Sequence, residues 1–191
     1  MNGGVCNYFV YSCMMKNFTI INQKFDTKQV GQVCPAVISF HCSPKNLKVM
    51  GNKIISPGWA LEYHAKYAGK VFVKTMRNEY PREKQTVHLY APGSIYWEDT
   101  RSADIPIQDT YFFFTGAEKC GLANLVSPKL KFARFEDPEN IVGSLFAAAM
   151  RLLCISSNNN PFWLVQSCFM RIIHYLLNAR RINESDYIVR S

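Results

Sequence analysis

The sequence predicts a mainly β protein with an α-helical end: a β-sandwich or small barrel followed by an antiparallel two-helix hairpin. Three observations carry this. Seven short β-branched or aromatic runs recur at intervals of about ten residues, separated by Gly and Pro. The composition changes near Glu136, where most of the Gly and Pro has been spent. Beyond that point, apolar residues recur at helical spacing in two stretches joined by a polar turn.

The strand runs follow in order. Val33 to Phe40 is apolar and closed by Ser43-Pro44. Trp59 to Tyr67 alternates, with Trp59, Leu61, Tyr63, Ala65 and Tyr67 on one face and Glu62, His64 and Lys66 on the other. Val71 to Met76 comes after Gly69, then Val87 to Ala91, then Ser94 to Asp99 after Pro92-Gly93. Ile107 to Thr115 contains Tyr111, Phe112, Phe113 and Phe114, all large, which implies burial on both faces. Leu130 to Phe135 is the last strand run.

The first helix is announced by Asp137-Pro138-Glu139: an N-cap, a proline at the first helical position and an acid in the first turn. Ile141, Leu145, Ala148 and Leu152, flanked by Val142, Phe146, Ala149 and Leu153, give it a wide apolar face. Ser156 to Asn160 is a polar turn, and Asn160-Pro161 starts the second helix. There Phe162, Val165, Phe169, Ile172, Leu176 and Ala179 form one stripe, and Met170, Ile173 and Leu177 a second. Either one stripe packs on the partner helix and the rest is ordinary core, or one stripe docks on the sandwich and first helix while the other is a subunit seam.

A chain of 191 residues that is 48% hydrophobic and 19% charged can bury a full core. It is neither a disordered tail nor a scaffold that needs metal or disulfide staples. Lys and Arg number 22 against 14 Asp and Glu, a net charge of +8. That surplus suggests nucleic acid at first sight. However, the basic residues form no dense run, and dispersed charge serves mainly solubility. Seven cysteines, an odd count without a CxxC pair, fit a reducing, cytoplasmic setting. Cys154 and Cys168 are expected as small core hydrophobes. The start lacks a basic, apolar leader, and the longest apolar run, Ile141 to Ile155, is broken by Arg151.

No nucleotide-binding, zinc-protease or nucleophile-elbow motif occurs, so no reaction can be named. The histidines are His41, His64, His88 and His174. A metal-binding barrel of the cupin type wants His-x-His on one strand and a further His after a Pro-x-Gly turn. Here Lys66 stands two residues after His64, and Tyr96 stands near the place of the last His. A cation and a phenol do not suit a divalent metal beside neutral imidazoles. The expectation is therefore a metal-free cavity without a cofactor. Its lining is expected from Trp59, Tyr63, His64, Arg77, His88, Tyr90, Tyr96, Trp97 and Glu98, with rings for stacking and polar groups for orientation.

The run His88 to Arg101, then Pro106 to Phe114, then the helical hairpin ending Leu176 to Arg181, resembles AraC/XylS-type bacterial transcription regulators. The likeness is to their N-terminal effector-binding and dimerisation domain and spans about Ile55 to Arg181. It implies a cupin-like, jelly-roll barrel that binds a small effector, a sugar or other metabolite, and a last helix that forms the homodimer. The resemblance places the seam on the first stripe of that helix, from Phe162 to Ala179. On that basis the chain divides into an N-terminal arm (1–27), the barrel (28–136), the dimerisation hairpin (137–182) and the start of a linker (183–191). The family reads DNA through a C-terminal helix-turn-helix module that this chain does not include, so operator binding by this polypeptide alone is not expected. Two rival readings are a small cupin-type isomerase or lyase and a protein-docking module with a filled barrel.

Overall fold

A computed structural model describes residues 10–11, 20–44, 49, 51–65, 69–73, 78–102, 108–155 and 161–179. Among the described residues, eleven strands build two antiparallel sheets. β1 (Val10–Tyr11), β2 (Ile20–Lys24), β3 (Ala36–Pro44), β5 (Trp59–His64), β8 (Thr86–Tyr90), β10 (Gln108–Thr115) and β11 (Phe132–Glu136) form the larger sheet, in the order β1-β2-β3-β10-β5-β8-β11. β4 (Ile54–Ile55), β6 (Lys70–Val73), β7 (Asn78–Pro81) and β9 (Ile95–Asp99) form the smaller one, in the order β4-β9-β6-β7. The chain also has α1 (Thr27–Val30), α2 (Ala117–Cys120), a 3-10 turn over Leu122–Leu125, α3 (Ile141–Ile155) and α4 (Phe162–Asn178). Each of the seven expected strand runs contains a strand, although residues 66–67 and 74–76 of two runs lie outside the described residues. The segment expected as an arm contains β2, which pairs with β3 from Ile21↔Cys42 to Lys24↔Ser39 and so extends the sheet.

The larger sheet is covered on both sides, which is why β5 and β8 are buried at every position. One face packs on α3 and α4. Phe40, Leu61, Leu89, Phe112, Phe114 and Phe135 are buried there with Phe146 and Phe169. The Phe146 ring lies 4.7 Å from Phe112, and Phe169 lies 4.8 Å from Phe114. Gln166 of α4 fastens the helix to the start of β3. It accepts from Val37 N–H at 2.9 Å and donates to Pro35 O at 2.7 Å. A register shift between Phe113 and Phe114 leaves Ile38 as an extra residue on β3.

The hairpin begins later than the sequence suggests. Asp137 is the capping residue, but α3 starts at Ile141, after a turn in which Asn140 has φ 56°. The fully buried Asp137 carboxylate still reaches the helix, accepting from Ile141 N–H and Gly143 N–H, each at 2.9 Å. Gly143 is required by close approach: a Cβ there would collide with the Tyr63 hydroxyl and with Asn140. α4 starts directly after Pro161, which makes no side-chain cap, and Asn160 lies outside the described residues. Cys168 is buried as expected, whereas Cys154 is exposed. Among the described residues, no helix is long and apolar enough to cross a membrane.

Candidate functional site

The other face of the larger sheet looks across at the smaller sheet, and the space between them is lined by polar and aromatic groups. Strand alternation explains who points inward. On β5, Ala60, Glu62 and His64 leave the helix-facing set Trp59, Leu61 and Tyr63. β8 pairs with β5 in a register that puts Glu62 opposite His88 and Ala60 opposite Tyr90. From the smaller sheet Tyr96 stacks on Tyr90 at 4.3 Å, while Tyr80 packs with Phe132 at 4.9 Å. On β10, Asp109 and Tyr111 share this side, and Tyr111 stacks on His41 at 4.9 Å.

Arg82, fully buried just after β7, is the hub of the interior. Its Nη2 donates to Glu62 Oε1 and to Asp109 Oδ1 at 3.1 Å, and Nη1 lies 3.4 Å from Glu98 Oε1. Burial alone would lower its proton affinity, but Glu62, Glu98 and Asp109 together outweigh burial and raise it. The backbone of Arg82 is pinned by a bond from its N–H to Gly69 O at 2.8 Å. Gly69 has φ +88°, and a Cβ there would run into the Asp99 backbone. A tight turn beside β6 thus sets where the guanidinium enters.

Tyr90 completes the cluster. Its hydroxyl donates to Glu62 Oε2 at 3.2 Å and lies 3.3 Å from His88 Nδ1. Burial first, and then the Glu62 charge, push the Tyr90 phenol well above its ordinary range, and the same two causes raise Tyr96. Both phenols are therefore neutral donors at physiological pH. The interior thus holds hydrogen-bonded polar groups and aromatic rings together between the sheets.

The residues named from the sequence divide into three groups. His64, His88, Tyr90, Tyr96 and Glu98 do come together in this interior. Trp59 and Tyr63 do not, because both faces of β5 are buried and theirs is the helix side. Trp59 Nε1 donates to Glu118 at 2.9 Å, and Tyr63 donates to Asn140 at 2.6 Å while stacking on Phe146. Trp97 alternates with Tyr96 and Glu98 and so leaves β9 on the opposite side. Arg77 lies outside the described residues. Arg82 and Asp109 carry no such signal in the sequence: an arginine between Pro81 and Glu83-Lys84 reads as an ordinary surface turn.

The stripe expected as the seam is buried inside the protomer. Phe162, Val165, Phe169, Ile172 and Leu176 are each 0% exposed, packed within the protomer against the sheet and α3, and Ala179 is half-buried beyond the helix end. That stripe is core because α4 lies across the sheet. The outward stripe is Trp163, Ser167, Met170, His174 and Leu177, all exposed and spaced 4-3-4-3. Ser167, Met170 and His174 also line a groove of about 400 Å³ shared with Ile141 and Leu145 of α3.

No protein-family model matches the chain, and no curated protein matches its sequence. Solved structures do match its fold. The chain is similar to ToxT from Vibrio cholerae with an unsaturated fatty acid bound, at 12% identity and a TM-score of 0.51, covering 80% of this chain and 56% of that one. It also matches ToxT bound to (E)-4-(8-methylnaphthalen-1-yl)but-3-enoic acid, at 11% identity and a TM-score of 0.47, covering 78% and 61%. A vicilin from Capsicum annuum matches at 9% identity and a TM-score of 0.41, covering 65% and 32%. The chain spans little more than half the length of the fatty-acid-bound ToxT. It shares with that protein a mainly β, barrel-like fold closed by C-terminal helices.

Proposed function

We propose that this chain is the effector-sensing and dimerisation part of an AraC-type bacterial transcription regulator, acting in the cytoplasm and without enzymatic activity. The observation that carries the proposal is the interior itself. Glu62, His64, Arg82, His88, Tyr90, Tyr96 and Glu98 converge between two sheets, where a filled barrel would place aliphatic side chains. The likeness in fold to ToxT, an AraC-family regulator with a fatty acid bound in its structure, supports the same reading. The effector of this chain is a small metabolite, such as a sugar, that donates hydrogen bonds to the carboxylates and accepts them from the phenols and guanidinium.

Dimerisation belongs to the outward stripe of α4. Trp163, Met170 and Leu177 repeat every seven residues, with Ser167 and His174 between them, the pattern of a two-helix seam. Effector binding then acts by linkage: the barrel state that binds better is populated, and the helices docked on β5 follow it.

The test is mass spectrometry of small molecules released from the purified, denatured chain, followed by thermal shift across a metabolite library. A stoichiometric released compound that also raises Tm is expected. No released compound, and no shift with any library member, overturns the proposal in favour of a protein-docking module.

A further inference from the structure

The pattern sought in the sequence, His-x-His with a later His, is absent, but the fold assembles a different donor set. Glu62 and His64 lie two residues apart on the inward face of β5, and His88 is the register partner of Glu62 on β8. All three are buried, and one ligand atom from each lies within 4.8 Å of the others. His64 Nε2 stands 3.5 Å from Glu62 Oε2. Around a tetrahedral ion with ligands at about 2.1 Å, neighbouring donors are about 3.4 Å apart. That edge is already in place. The two imidazole rings meet at 70° with centroids 4.5 Å apart, so they converge from different directions.

The outer partners also fit. Arg82 binds Glu62 through Oε1, while Oε2 is the oxygen on the histidine side. The Tyr90 hydroxyl touches both Glu62 Oε2 and His88 Nδ1, which orients a ligating carboxylate and a ligating ring together. The Arg82 charge is shared with Glu98 and Asp109 on its other sides, so its presence does not cancel the carboxylate. Two imidazoles and one carboxylate are the donors of zinc and its first-row neighbours, not of calcium or magnesium. Three protein ligands leave a position for water or for a donor atom of a bound molecule.

We propose that Glu62, His64 and His88 bind one divalent transition-metal ion, zinc or a first-row neighbour, inside the barrel. This stands on the geometry of the donors and does not require the effector reading. The test uses the full chain, freed of metal with a chelator and titrated with Co(II). The expected result is one bound ion with the visible d–d bands of low-coordinate cobalt, displaced by zinc, and no thiolate-to-cobalt charge-transfer band. Glu62→Gln and His64→Gln should each weaken binding by more than the roughly 10–100-fold that loss of an outer partner costs. Tyr90→Phe should fall within that range.

Absence of Co(II) binding by the unmodified chain overturns the proposal. So does a thiolate band, which would assign the ion to some of the seven cysteines. Unchanged affinity in folded Glu62→Gln and His64→Gln proteins overturns it equally. Should both variants fail to fold, the cobalt spectrum of the unmodified chain decides between nitrogen–oxygen and sulfur ligation. Released-metabolite analysis is read on the chelated protein, so failure of one reading leaves the other standing.

Discussion

Glu62 and His88 face each other directly across the β5–β8 ladder, and the same Glu62 carboxylate holds Arg82 through its other oxygen. The strand pair therefore sets an acid and a base against a guanidinium that enters from just after β7, in one continuous network. Such a network is costly to break from one side, because each group removed leaves its partner buried with a charge.

Arg82→Met should accordingly destabilise the fold by about 3–5 kcal/mol, because it leaves Glu62, Glu98 and Asp109 facing one another. Urea unfolding would show this as a lower midpoint. Adding Glu62→Gln should recover part of the loss. A single Arg82→Met variant as stable as the parent would mean that the carboxylates do not depend on the guanidinium.

Gly143→Ala should cost about 1–3 kcal/mol, since the new methyl group meets the Tyr63 hydroxyl at the start of α3. Removing that hydroxyl with Tyr63→Phe should return part of the stability in the double variant. Thermal denaturation of the four proteins forms a double-mutant cycle, and strict additivity would show that the two sites do not meet.

The two stripes of α4 should separate cleanly by mutation. Met170→Glu, on the exposed stripe, should give a monomer by light scattering with Tm unchanged. Ile172→Glu buries a carboxylate in the core and should instead lower Tm sharply or prevent folding. A Met170→Glu protein that remains dimeric would place the seam on another surface.

Alkaline pH should unfold the protein in a defined window. Burial, aided by Asp137 for Tyr63 and by Asp109 for Tyr111, pushes each phenol up to about 12. The fold thus favours the neutral phenol. Its stabilising contribution is complete below the ordinary value of 10 and is lost as the pH climbs from 10 towards 12. Ultraviolet titration of tyrosinate should show a late group of phenols ionising together with the loss of circular dichroism. Ionisation of every tyrosine near the ordinary value, with the fold intact, would contradict the assignment.

The strand runs and both helices were legible in the sequence because period and punctuation are local properties. Asp137 was legible as a cap for the same reason, and only the turn at Asn140 displaced the helix start. Alternation along β5 was also correct, but alternation alone cannot say which face meets which layer. Where both faces are buried, Trp59 and Tyr63 are as good a lining as Glu62 and His64 until the helices are placed. The stripes of α4 posed the same problem. The more aliphatic one is expected outward from the sequence, yet it is the one with enough apolar surface to fill the space under the sheet. Arg82 carried no local signal: its role comes from the pairing of β6 and β9 and the tight turn at Gly69, which bring distant carboxylates around it.

β5 is a party wall. Leu61 and Tyr63 furnish the chamber on the helix side, Glu62 and His64 the one between the sheets, and a single backbone carries both sets. Tyr63 is moored at the threshold of α3 through Asn140, one peptide away from the acid that holds Arg82. The two layers are therefore separated by the thickness of one strand, so the residue beside the Arg82-holding acid is also the one tied to the start of α3.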